Sequence, residues 1–175
     1  MNTRVIAGTA IFTALTIMFT FIPFSIGGVG INLSLVPIAL AGIMYGPIAG
    51  LFTGLVNGAC VLGTDVAIFS NITVIGTVIV CLTKTGLAGL ASGFLYKWIS
   101  KKNSYIGAVV SSLSVPIINT GLFILIGLLG FFRVMLNQLI LPSLINFSIE
   151  LTVTIILSSS IASVVKYYDK KNHAI

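Results

Sequence analysis

Apolar residues fill this chain in stretches far longer than a globular core uses. The first reads from Val5 to Ile22 and stops at Pro23 and the glycines Gly27, Gly28 and Gly30. A hydrocarbon core about 30 Å thick takes about 20 apolar residues per helical crossing, and this stretch is of that kind. The rest of the chain has the same character: of 175 residues, 57% are hydrophobic and 7% charged, with a mean hydropathy of +1.17. A soluble domain carries about 25% charged residues, so an ordinary water-soluble globule is excluded. A disordered chain needs low hydrophobicity and high charge, and is excluded too. Six crossings use about 120 residues, which leaves no room for a soluble catalytic domain. The expectation is one all-α integral membrane domain over residues 1–175.

The remaining segments follow from the polar breaks. A short second span runs from about Asn32 to Tyr45 and contains Pro37, which membrane helices tolerate when neighbours satisfy the freed backbone groups. Gly46-Pro47 makes a tight turn, with Pro47 placed as the first residue of the next helix. Span three continues to about Gly63, and Thr64 to Thr73, with Asp65, Ser70 and Asn71, reads as a loop with room for one helical turn. Span four covers about Val74 to Ile99, before the polar break at 100–104. Span five runs from about Tyr105 to Phe132, Arg133 to Gln138 form a link, and span six runs from about Leu141 to Val165.

Positive charge sets the orientation. With six spans, Arg4, Lys97, Lys101, Lys102, Lys166, Lys170 and Lys171 share one face, seven of the nine basic residues. That face is the cytoplasm, and both termini lie on it. The net charge of +6 therefore reports membrane topology, and no nucleic-acid partner is expected. Arg4 before an apolar run suggests a signal peptide, but the run is longer than a usual h-region and no small-x-small site follows, so it reads as a first transmembrane helix. Cys60 and Cys81 both lie in apolar stretches and read as small packed residues in preference to a disulfide.

Lipid gives helices no hydrophobic reason to associate, so close packing relies on small residues. Gly46, Gly50, Gly54 and Gly58 line one helix face, Gly89 and Gly93 repeat the spacing on span four, and span one carries Ala7, Ala10 and Ala14. Ionisable groups at membrane depth cost about 2.5–3.5 kcal/mol each on insertion scales, so each needs a reason. With a rise of 1.5 Å per residue from the cytoplasmic ends, Lys84, Glu150, Asn119 and Asn32 all fall about 20–24 Å up, on four different helices. Arg133, Asn137, Gln138 and Asn146 sit above them, and Asn57 sits near the midplane. A polar layer open to the outside describes a cup for a small polar molecule. Three plainer readings stand beside it: Lys84 snorkelling to the headgroups, Lys84 and Glu150 as a neutralising pair, and asparagines as interhelical glue.

Chemistry on the chain itself is scarce. The one histidine, His173, is in the tail, the cysteines lack metal-ligand spacing, and no phosphate-binding G-x-x-x-x-G-K-[ST] motif is present. No enzyme activity and no cofactor are expected. Nor is there a convincing internal repeat of the kind secondary transporters show. The main rival is a self-sufficient oligomeric transporter or channel built through the same small-residue faces.

Leu33 to Gly50 (LSLVPIALAGIMYGPIAG) resembles the short second helix, Tyr-Gly-Pro turn and Gly-rich third helix of the substrate-binding S components of energy-coupling factor (ECF) vitamin transporters. Ala10-x-x-x-Ala14 matches that family's small-residue motif on helix one, and Asn146-x-x-x-Glu150 is similar to a pattern on its last helix. The resemblance implies a high-affinity vitamin binder of the bacterial plasma membrane. It implies docking through Ala7, Ala10 and Ala14 on a transmembrane T subunit powered by two cytoplasmic ATPases, and toppling to release the vitamin inside. By the same resemblance, Lys84 and Arg133 face an anionic group, and Asn119, Asn146 and Glu150 hydrogen-bond polar atoms, with Asn32 in the same layer. Loops Gly27–Ile31 and Thr64–Thr73 act as lids. Trp98 reads as an interfacial residue. The substrate is not legible, though a lone cation in the cup suits a small acid or a small heterocycle.

Overall fold

The computed structural model describes residues 3–22, 24–26, 29–31, 33–69, 73–133 and 136–172. The chain forms a helical bundle: α1 (Thr3–Phe21), α2 (Leu35–Tyr45), α3 (Pro47–Phe69), α4 (Val74–Ile99), α5 (Ser104–Leu122) and α6 (Leu136–Asn172), with a π-helix over Phe123–Phe131 continuing α5. Four helical stretches are long and apolar enough to cross a membrane, within α1, α4, α5 with its π continuation, and α6, and α2 and the first part of α3 are shorter apolar helices. Large apolar side chains such as Ile48, Phe52, Ile75, Phe94, Leu125 and Ile156 point outward. In water that surface is prohibitive; in lipid it is solvent-matched.

The small-residue pattern does what its spacing predicts. A Cβ added at Gly50 would strike the Gly89 carbonyl, one at Gly89 would strike the Gly50 carbonyl, and one at Gly54 would strike the Thr85 carbonyl. Helices α3 and α4 therefore touch backbone to backbone. The Tyr45-Gly46-Pro47 turn leads into this contact. Gly46 takes φ +96°, a left-handed conformation that favours glycine, and its N–H donates to Gly42 O at 3.0 Å. The Tyr45 ring then packs where Gly8 of α1 has no side chain, 6.0 Å from the Phe12 ring between centroids.

Helix α2 is the buried element, with Leu35, Ile38 and Ala39 packed against Ala88 of α4 and Val115 of α5. Its end, at Ile43, meets Ala108 and Ile161. Helix α1 presents Thr9, Thr13 and Thr16 inward, and each of these hydroxyls and that of Thr20 donates to the carbonyl four residues earlier at 2.7–2.8 Å. Thr13 also lies 3.2 Å from Thr53 of α3, hydroxyl to hydroxyl. Cys81 is buried and Cys60 half-buried, both as free thiols. At the far end of α4, Trp98 is 74% exposed, the position of an interfacial anchor.

Four expectations need correcting. The loop expected over Gly27–Ile31 includes a strand: β2 (Val29–Ile31) pairs antiparallel with β1 (Phe24–Ile26), Phe24 with Ile31 and Ile26 with Val29. The loop expected from Thr64 begins later, because α3 continues to Phe69; no glycine or proline lies between 64 and 69 to stop it. Span five does not stay α-helical: from Phe123 it widens, and the Phe132 N–H reaches back five residues to Gly127 O at 2.8 Å. The link after Arg133 is shorter than expected, since α6 starts at Leu136 with Asn137 and Gln138 exposed in its first turn, and it runs on through the charged tail to Asn172.

The α3–α4 contact is testable. Gly50→Val forces a side chain against backbone, which cannot rotate away, and overpacking of this kind costs about 1–3 kcal/mol. We expect a lower unfolding temperature in detergent. Gly121→Ala, where a Cβ meets nothing within 4 Å, is expected to leave it unchanged or raise it.

Candidate functional site

Glu150 is the natural starting point, because a carboxylate in the interior of an apolar bundle needs compensation. It lies on α6 and is 4% exposed. Asn146, one turn earlier, donates from Nδ2 to Glu150 Oε1 at 3.0 Å, as the i, i+4 spacing dictates. The Thr154 hydroxyl donates to the Glu150 main-chain carbonyl at 2.7 Å, capping the next turn. Glu150 Oε2 and Asn146 Oδ1 are buried with no hydrogen-bond partner among the described residues.

Lys84 comes from α4, and its ammonium lies 5.0 Å from the centroid of the Phe123 ring, a cation–π contact. Phe123 opens the π-helix. Asn119, one turn before it on α5, is 8% exposed, and its Oδ1 also lacks a partner among the described residues. Lys84 thus pairs with Phe123 and Asn146 with Glu150, and Asn119 stands on the helical turn before Phe123. The π-helix opens here, and the Phe123 N–H donates to the carbonyls of both Asn119 and Thr120. Unpaired buried polar atoms cost about 1–3 kcal/mol each, so native proteins rarely keep them without a use.

The other expected residues are placed differently. Arg133 is exposed, just past the π-helix and next to the buried Phe132. Asn32 and Asn71 lie outside the described residues, as does the Asp65 side chain. Asn57 is fully buried on α3 and its Oδ1 accepts from the Thr20 hydroxyl at 2.7 Å. Its Nδ2 has no partner among the described residues. The threonines of α1 escaped sequence reasoning, although their positions, 9, 13, 16 and 20, carry a helical period. Ala7, Ala10 and Ala14 are all exposed, on a face of α1 that no described element covers.

A family model described as ECF transporter, substrate-specific component matches residues 4–167. The chain belongs to that family. No curated protein and no solved structure matches it. Substrate-specific components are transport subunits and not enzymes, and they work with a small-molecule substrate and membrane-embedded partners of the ECF module. For this ECF component, that accounts for the apolar outer surface and for a chain that is helical bundle almost throughout.

The Asn146–Glu150 pair gives a stability prediction. Asn146→Ala leaves both Glu150 oxygens without a partner, and we expect destabilisation of about 1–3 kcal/mol, read by thermal unfolding in detergent. Asn137→Ala, on the exposed first turn of the same helix, is expected to stay within about 0.5 kcal/mol of the parent.

Proposed function

We propose that this chain captures a small vitamin or vitamin precursor on the outer side of the bacterial plasma membrane and delivers it inward as the substrate-specific subunit of an ATP-driven ECF importer. The reading takes residues 1–175 as one substrate-binding domain with six crossings and both termini in the cytoplasm. Substrate contacts fall to Asn32, Lys84, Asn119, Asn146 and Glu150, with Arg133 towards the outer rim. A transmembrane T subunit docks on the Ala7, Ala10 and Ala14 face of α1, and two cytoplasmic ATPases supply the energy.

The observation that carries this reading is the buried Glu150–Asn146 pair with open hydrogen-bonding capacity. A purely structural pair closes on itself and leaves nothing to satisfy. The exposed alanines support the docking role: they give α1 a smooth outward stripe against which another helix can lie closely.

Native mass spectrometry of the purified protein is expected to show a retained vitamin-sized molecule; a bare protein alone argues against a receptor. Ala10→Trp or Ala14→Trp is expected to abolish uptake in cells carrying the whole transporter while the purified variant still retains its small molecule. Normal uptake by both variants removes that face from the mechanism. Reconstituted alone, the chain is expected to move no solute, and movement without ATP or partners favours a self-sufficient transporter.

A further inference from the structure

The geometry points to a seat for an anionic phospholipid at the far end of α4, with the lipid phosphate on Lys97 and Lys101 and the adjoining acyl chain against Phe94 and Trp98. This goes beyond the receptor reading and does not depend on it. It needs only that α4, which is long and apolar enough to do so, crosses the bilayer.

Residues 94, 97, 98 and 101 follow the i, i+3, i+4, i+7 spacing that gathers side chains on one helix face. With Leu95 they line a groove of about 440 Å³. The other side of the same turns is taken up by the bundle. Ser92 and Gly93 are buried, a Cβ at Gly93 would strike Pro47 of α3, and the Tyr96 hydroxyl lies 2.8 Å from Ser104 Oγ. Phe94 and Trp98 are exposed, as are both lysines. Lys97 stands in the last turn of α4 and Lys101 in the turn that follows it. Neither lysine has a hydrogen-bond or ion-pair partner among the described residues, and no carboxylate among them lines the groove.

Along this face the chemistry changes from an apolar ring, through an indole with one N–H donor, to two ammonium groups. A phospholipid changes in the same order, from acyl chain through the glycerol esters to the phosphate. A free soluble anion would engage the lysines and leave both rings bare. The helix itself does not attract the anion, because this is the C-terminal, electronegative end of α4, so the attraction rests on the side chains. Each lysine near a membrane surface favours anionic lipid by about fivefold. A zwitterionic lipid carries its own cation and offers the pair no net charge.

Trp98 is the one tryptophan of the chain, so its fluorescence reports this face alone. The full chain is reconstituted in vesicles that mix phosphatidylcholine with phosphatidylglycerol, one or the other brominated on its acyl chains so that it quenches the indole on contact. Phosphatidylglycerol is expected to be preferred beside Trp98 by about tenfold or more. Equal quenching by the two lipids overturns the inference and leaves the lysines to an acidic protein partner.

Joint replacement, Lys97→Gln with Lys101→Gln, is expected to abolish the preference, and an unchanged preference overturns the inference. Should that variant fail to reconstitute, each single replacement is expected to lower the preference about fivefold, and no effect from either counts the same way. Lys102→Gln removes a charge next to the groove but outside its lining. It is expected to keep the preference; a loss equal to that of a groove lysine means diffuse attraction without a seat. Inorganic phosphate added to the vesicles is expected to leave the quenching in place, and reversal by it makes the ligand a free anion and overturns the lipid assignment.

Discussion

Everything in this bundle is arranged around the contact of two backbones. Helices α3 and α4 approach so closely at Gly50, Gly54 and Gly89 that a single methyl group would separate them. In lipid, packing of this kind replaces the hydrophobic effect as the force that holds helices together. It also sets the frame for the rest: α4 carries Lys84 on another part of its surface, α2 is buried against α4 and α5, and α5 and α6 complete the wall.

Polar side chains are buried on both sides of that contact: Thr53 and Asn57 on α3, Thr77, Thr85 and Ser92 on α4, Ser111, Ser112 and Asn119 on α5, and Glu150 on α6. Glycine faces let the helices close with no side chain at the seam, so polar groups can be buried elsewhere on the same helices. Family membership fits such a chain, since a substrate-specific component is a transport subunit and not an enzyme.

The apolar helices and the glycine faces were legible in the sequence because both depend on simple patterns: long apolar runs between polar or glycine-proline breaks, and small residues four apart. The Asn146–Glu150 bond was legible for the same reason. Other features were not. Asp65 looked like a helix end, but a polar residue does not stop a helix unless the backbone is also broken, and α3 passes through it. Asn137 and Gln138 looked like a link for the same mistaken reason. The π-helix leaves no compositional trace, since its residues are the same apolar types that build an α-helix and only the five-residue hydrogen bond distinguishes it. The inward threonines were overlooked because their hydropathy is near neutral; what marks them is position.

Those threonines have a bearing on how firmly the first helix is attached. Each hydroxyl on the inner side of α1 bonds to its own helix, so α1 carries its satisfied donors with it wherever it goes. Among the described residues, side-chain bonds from α1 to α3 run from Thr20 to Asn57 and between Thr13 and Thr53. Peeling α1 away would strand few polar atoms in lipid, whereas prising α3 from α4 would open a seam with no side chains to fill it. The bundle is thus welded on one flank and merely laid together on the other.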